Sequence, residues 1–264
     1  MPTTTLNYIT IYYEIHGKGD PLLILGGLGD TTRNWQAIAS HLGKDRQVIL
    51  MDNRGSGQSD RPKGPYNIKD MAKDSLALLD HLNIEECDIL GFSMGGKIAL
   101  YIAHNIPRRI EKLILMATSP SWKTQFPPAP EIHGIMDSFD NTDEHFAKQF
   151  EMLYAEPYKK RFPAENYIRF KQTEELPQSQ ENFADQLSAS QSFDVSRQLR
   201  QIKHPTLIIQ GDSDVIARPE NAELLASKLP NAKLISYPNV GHIPQLEASG
   251  DFLKDVNEFL LHDE

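Results

Sequence analysis

Short apolar runs recur along the chain, most of them followed by a glycine-rich turn and then by an amphipathic stretch. Leu22-Leu23-Ile24-Leu25, Val48-Ile49-Leu50-Met51 and Leu113-Ile114-Leu115-Met116 carry no polar alternation, as expected of strands buried on both faces in a parallel sheet. Cys87-Asp88-Ile89-Leu90, Leu207-Ile208-Ile209 and Leu234-Ile235-Ser236-Tyr237 are expected to be further strands. Ahead of them, Leu6, Tyr8, Ile11, Tyr13 and Ile15 lie in β-favouring runs that break at Gly17-Lys18-Gly19-Asp20-Pro21. Helical spacing fills the intervals. Trp35, Ile38 and Leu42 share a face behind a cap at Thr31 or Thr32, and Met71, Leu78, Leu79 and Leu82 share another. Ile98, Leu100, Ile102 and Ala103 predict a helix that stops before Pro107. Ala222, Leu224, Leu225 and Leu229 predict one more, and Phe252 to Leu261 the last. Strands alternating with helices predict right-handed βαβ units around a mostly parallel sheet.

The alternation lapses between about 120 and 195. Pro127-Pro128-Ala129-Pro130 is a rigid break, and beyond it Phe146, Phe150 and Leu153, then Tyr167 and Ile168, then Phe183 and Leu187 mark helices with no strand between them. The expected organisation is an α/β core, 1–119 and 196–264, with a helical insertion at 120–195.

Composition narrows the partners. The 264 residues include 27 Lys and Arg against 36 Asp and Glu, a net charge of -9, which disfavours a nucleic-acid groove and a polybasic membrane anchor alike. Cys87 is the only cysteine, so an intramolecular disulfide and a cysteine-based zinc site are excluded. No apolar run approaches the ~18 residues of a membrane span, and Met1 to Tyr8 carry no basic-then-apolar leader. The expectation is a cytoplasmic protein without metal or cofactor.

Gly91-Phe92-Ser93-Met94-Gly95 matches G-x-S-x-G, with an apolar strand before it and an apolar helix after it. That context is what a nucleophile elbow needs, because a sharp strand-to-helix turn exposes the serine oxygen and glycines relieve the crowding. Gly91 through Lys97 also reads as the first seven positions of a phosphate loop, but Ile98 stands where a Ser or Thr would ligate magnesium.

A serine hydroxyl needs a base within hydrogen-bond reach. His242, in Asn239-Val240-Gly241-His242, follows a strand and so reaches the C-terminal sheet edge that also carries Ser93. His16 falls in the first hairpin, His41, His81 and His104 on core helices, His133 and His145 in the insertion, and His262 at the end. The base needs an orienting acid, and Gln210-Gly211-Asp212-Ser213-Asp214 supplies Asp214 or Asp212 at the same edge, loop length favouring Asp214. Oxyanion donors would be the Met94 amide beside the nucleophile and the Leu28 amide in Gly26-Gly27-Leu28-Gly29. Asp52 and Asp60 around Asn53-Arg54-Gly55-Ser56-Gly57 read as a hydrogen-bonded turn rather than as cation ligands.

Taken in order, these motifs resemble the α/β-hydrolase family over nearly the whole chain. Gly26-Gly27-Leu28-Gly29 is similar to its oxyanion loop, although members usually carry His-Gly where Gly26-Gly27 stand. Asp52-Asn53-Arg54-Gly55-Ser56-Gly57-Gln58-Ser59 resembles its D-x-R-G-x-G-x-S turn, and the late acid and base match the order Ser, Asp, His. The resemblance implies a mostly parallel eight-stranded sheet flanked by helices, a triad of Ser93, Asp214 and His242, and a lid at 120–195 inserted after the sixth strand.

The same resemblance prunes the chemistry. Members that are haloalkane dehalogenases or epoxide hydrolases carry Asp at the elbow, where this chain has Ser93. Those that split C–C bonds often carry Trp shortly after the base, where Leu246 stands. What remains resembles small bacterial carboxylesterases, enol-lactonases and perhydrolases: hydrolysis of a small-molecule ester, lactone or thioester through an acyl-enzyme. A ligand-binding signalling protein of the same fold with little turnover, or a C–C bond hydrolase or perhydrolase, is the competing expectation. Trp122, Phe126, Met136, Phe139, Phe146 and Met152 are expected mostly to fill core, about a third of them lining a pocket that sets acyl preference.

Overall fold

In the computed structural model the described residues are 2–123, 126–128, 130–137 and 139–261, so Ala129 of the proline-rich break and His262 lie outside them. Eight strands form the sheet: β1 (Thr3–Leu6), β2 (Ile9–His16), β3 (Pro21–Leu25), β4 (Gln47–Met51), β5 (Cys87–Phe92), β6 (Ile110–Met116), β7 (Thr206–Gly211) and β8 (Ala232–Tyr237). They lie in the order β1-β2-β4-β3-β5-β6-β7-β8. The β1–β2 and β2–β4 pairs are antiparallel and all the others are parallel.

The unbroken apolar runs are explained by what lies on either side. Leu23, Leu25, Ile49, Ile89, Leu113, Leu115 and Ile208 point into one core, shared with helices α2 (Ile68–His81) and α3 (Met94–Asn105). Their neighbours Leu22, Ile24, Val48, Leu50, Leu90, Ile114, Leu207 and Ile209 point into the other, whose helices include α1 (Gln36–Leu42). A strand with period-two side chains needs apolar residues at every position only when both faces are covered.

The cap expected before α1 is not there. Thr32 opens a 3-10 turn, Thr32–Asn34, and neither threonine side chain caps a helix; the Thr32 N–H instead donates to Asp52 Oδ1 at 2.7 Å. Tertiary demand for that amide overrides the local capping signal. By contrast α2 carries a full capping box between Asn67 and Asp70.

After β6 the chain runs through α4 (Pro130–Asp137), α5 (Asp143–Leu153), α6 (Glu156–Arg161), α7 (Ala164–Gln172) and α8 (Gln180–Ser192) before re-entering the sheet at β7. The two ends of this excursion meet: Ser121 bridges to Asp194, and the Val195 N–H donates to the Pro120 carbonyl at 3.0 Å. The chain closes with α9 (Pro219–Lys228), α10 (Pro244–Glu247) and α11 (Ser249–Leu261), whose Phe252, Val256 and Leu260 complete the second core. Among the described residues no helix is long and apolar enough to cross a membrane.

Candidate active site

Ser93 sits between β5 and α3 with φ 52° and ψ −114°, a conformation that costs a non-glycine residue of order 1–3 kcal/mol. The turn is held by the Ser93 N–H donating to the Met116 carbonyl at 2.9 Å and by Thr118 Oγ1 donating to the Ser93 carbonyl at 2.7 Å. It requires glycine at 95, where a Cβ would stand 2.0 Å from the Leu25 carbonyl oxygen of the adjacent strand.

His242 Nε2 lies 3.1 Å from Ser93 Oγ, and His242 Nδ1 lies 2.8 Å from Asp214 Oδ2. An ionised carboxylate can only accept, so Asp214 draws the proton to Nδ1 and leaves Nε2 as the acceptor for the serine hydroxyl. Asp214 is itself held: Oδ1 accepts the Ile216 and Ala217 amides at 2.8 and 3.0 Å, and Oδ2 accepts Gln210 Nε2 at 3.1 Å. Asp212 is exposed and its Oδ1 accepts the Asn239 amide and the Ser213 hydroxyl, so of the two candidate acids only Asp214 reaches the imidazole.

The other described histidines lie elsewhere, His204 with its Nε2 2.9 Å from the Pro107 carbonyl oxygen. His16 ends β2 against Glu14, His41, His81 and His104 lie on α1, α2 and α3, His133 on α4 packs against Trp122, and His145 on α5 packs against Phe139. Asp52 and Asp60 accept backbone amides, from Thr32 and Gln58 and from Thr10, and so form the turn expected of them. Burial pushes the Asp52 carboxyl up to about 6 against the pull of those amides. Among the described residues no cluster of His, Cys, Asp or Glu is arranged to hold a metal ion.

Two residues hold the glycine loop after β3. Asp30 Oδ2 accepts the Trp35 indole N–H at 2.7 Å and the Gly27 amide at 3.3 Å. From α8, Gln186 Oε1 accepts the Gly29 amide at 3.0 Å while its Nε2 donates to the Arg54 carbonyl and to Ser56 Oγ. Among the described residues neither the Leu28 nor the Met94 amide donates within the protein. Both residues border the space beside Ser93.

The His242 loop has its own support. Glu247 accepts the Ala155 amide at 2.8 Å on one oxygen and the Gly241 and Ile243 amides at 3.0 and 3.2 Å on the other. Burial nevertheless raises its carboxyl above the ordinary value, outweighing the three donors. Asp30, Gln186 and Glu247 carry no signal in the sequence: each is one polar residue whose partners come from other parts of the chain.

Two cavities meet at Ser93. The larger, about 470 Å³, is lined by His242, Phe92, Leu246 and aromatic side chains of the helical excursion, among them Phe139, Tyr154, Tyr158 and Phe170. The smaller, about 40 Å³, is lined by Met94, Lys97, Ser121, Trp122 and Asn221. Leu28, Ser93, Met136 and Ile216 border both. Of the six insertion residues expected mostly to be core, only Phe146 lines neither, because the helices enclose the cavities as well as packing on one another, as Phe139 does on Phe183.

A strained strand-to-helix serine, a histidine and a buried aspartate on the C-terminal edge of a doubly wound sheet define a class of fold and site. The family model for the alpha/beta hydrolase fold matches residues 20–249, and the chain belongs to that family. It is 29% identical to a putative carbamate hydrolase RutD of Pseudomonas savastanoi pv. phaseolicola, over 95% of this chain and 98% of that one. It is 27% identical to a pimeloyl-[acyl-carrier protein] methyl ester esterase of Nitrosospira multiformis, over 96% and 99%. Among solved structures, the enol-lactonase from Burkholderia xenovorans LB400 superposes with a TM-score of 0.87 at 26% identity, covering 99% of this chain and 100% of that one.

Proposed function

We propose that the protein is a serine hydrolase that cleaves carboxylic esters of small molecules. The observation that carries this is the continuous hydrogen-bonded chain from Ser93 Oγ through His242 to Asp214, opening onto a 470 Å³ cavity. In this reading Ser93 Oγ attacks the ester carbonyl while His242 Nε2 takes its proton, and Asp214 orients the imidazole and stabilises the imidazolium. The carbonyl oxygen becomes an oxyanion held by the Leu28 and Met94 amides, donors that have no other acceptor to give up. Collapse breaks the C–O bond and the leaving alcohol takes the proton from Nε2. Water then gives a proton to His242 and attacks the acyl-enzyme, releasing the acid and restoring Ser93. Residues 120–195 act as a lid that bounds the substrate without entering the chemistry.

The choice of ester over C–C bond rests on Leu246, which lines the cavity where the resembling C–C hydrolases often carry Trp. A fluorophosphonate should label Ser93 stoichiometrically, and p-nitrophenyl acetate should be turned over in the steady state. Ser93→Ala should abolish labelling and lower turnover by about four to six decades. Labelling that survives Ser93→Ala, or a single burst without steady turnover in the wild type, would refute the proposal, the burst pointing to the signalling alternative.

A further inference from the structure

Lys97 lies one helical turn beyond Ser93 on α3, and its side chain is 3% exposed. Its ammonium donates to the Ser190 carbonyl and to Ser190 Oγ, both at 2.9 Å, and stands 5.1 Å from the centre of the Trp122 ring. None of these partners carries charge. A lysine ammonium has three N–H donors, so one is left over, and the side chain borders the 40 Å³ cavity that also borders Ser93. A buried cation with no counter-ion is costly, and an anion arriving in the cavity offsets that cost. Ser121, which is 1% exposed and lines the same cavity, adds a second donor: its Oγ accepts the Lys123 amide, leaving its own proton to give. Burial alone drives the Lys97 ammonium down to about 7, with no charged side chain contributing.

The two cavities cannot play the same part in ester cleavage. The leaving alcohol must receive its proton from His242, and His242 lines only the larger cavity. The alcohol therefore departs through the larger cavity, which leaves the smaller, next to the Met94 amide, open to the acyl chain. With about 40 Å³, that cavity has room for only a few heavy atoms. We infer that the small cavity is an acyl subsite for a short arm ending in a carboxylate, bound by Lys97 and Ser121, so that the preferred substrates are half-esters of short dicarboxylic acids. This inference rests on the ester-hydrolase reading of Ser93 and narrows it to a substrate class.

The test compares monoethyl succinate with ethyl levulinate, in which a methyl ketone replaces the carboxylate at nearly constant shape. Ethanol release gives kcat/KM for each. In the wild-type protein the succinate-to-levulinate ratio should exceed about ten, as one charge-assisted hydrogen bond predicts. Lys97→Met should lower that ratio by about 10- to 100-fold and Ser121→Ala by about 3- to 10-fold. The ratio cancels any general loss of activity, and Ser121→Ala still decides the matter if Lys97→Met does not fold. A wild-type ratio near or below one, or a ratio that neither variant moves, overturns the subsite while leaving the ester reading in place. Failure of the wild type to cleave either ester, together with no fluorophosphonate labelling of Ser93, overturns the ester reading and the subsite with it.

Discussion

Removing the Glu247 carboxylate should damage both stability and catalysis without touching a reacting atom. Its three acceptances join the loop that carries His242 to Ala155, at the end of the loop between α5 and α6. In Glu247→Gln one oxygen can keep the Gly241 and Ile243 amides, but the new NH2 faces the Ala155 N–H, a loss of about 1–3 kcal/mol. In Glu247→Ala all three amides lose their acceptor, and all three residues are buried. Partial relaxation toward water caps the expected cost at about 3–5 kcal/mol. The His242 N–H also donates to the Leu153 carbonyl at 2.8 Å, so the loop is not released altogether. A displacement of the imidazole by a fraction of an ångström should lower kcat/KM by about tenfold in the Gln variant and a hundredfold in the Ala variant. The pH dependence has a definite sign. The folded carboxyl titrates above its ordinary value, so the native state holds a proton that the unfolded state has released, and this contribution declines as pH rises through the folded value. Glu247→Gln has no such titration, so its deficit against wild type should be larger at pH 5 than at pH 7.5. Urea midpoints at the two pH values and kcat/KM on an activated ester decide the matter. An Ala variant indistinguishable from wild type in both, or a Gln variant worse than the Ala variant, would refute the reasoning.

Lys97 makes a prediction of the opposite slope. With its ammonium lowered to about 7 when folded and near 10.4 when unfolded, the unfolded state binds more protons in between, so wild-type stability relative to Lys97→Met should rise by about 2 kcal/mol from pH 7 to pH 9. His133, edge-on to Trp122, is a further titratable group packed against the ring that covers the ammonium, and it is unchanged in both proteins; a flat difference would contradict the burial argument. Gly95→Ala should cost more than about 4 kcal/mol and abolish fluorophosphonate labelling, because its Cβ would meet the Leu25 carbonyl at 2.0 Å. Gly134→Ala on α4, where a Cβ meets nothing within 4 Å, should stabilise by up to about 1 kcal/mol, both read by thermal melting. Phe139 stacks on Phe183 at 4.3 Å and lines the larger cavity, so Phe139→Ala should shift preference toward longer alcohols in a methyl-to-octyl ester series while labelling persists; an unchanged series would argue against the lid.

Much of this protein is legible without coordinates because its signals are local. The runs Leu22–Leu25 and Leu113–Met116 announce strands covered on both faces, and the glycines around Ser93 announce a turn too tight for a Cβ. The alternation of strands with helices implies parallel strands, which places Ser93, Asp214 and His242 at one end of the sheet, whereas the order of the strands is read only from the structure. Other features were decided by the tertiary structure alone. Loop length already favours Asp214 over Asp212, but what holds it on the imidazole is tertiary: Asp214 is drawn inward by the Ile216 and Ala217 amides, and Asp212 is left facing Asn239. The threonine caps lost to Asp52, a partner 20 residues away. Gln186 on Gly29, Glu247 on Ala155 and Ser190 on Lys97 join residues roughly 90 to 160 positions apart. Such contacts leave no period and no spacing in the chain, since a single polar side chain looks the same whether it faces water or a buried amide. The cavities exist only once helices from 130 to 192 have closed over the sheet edge.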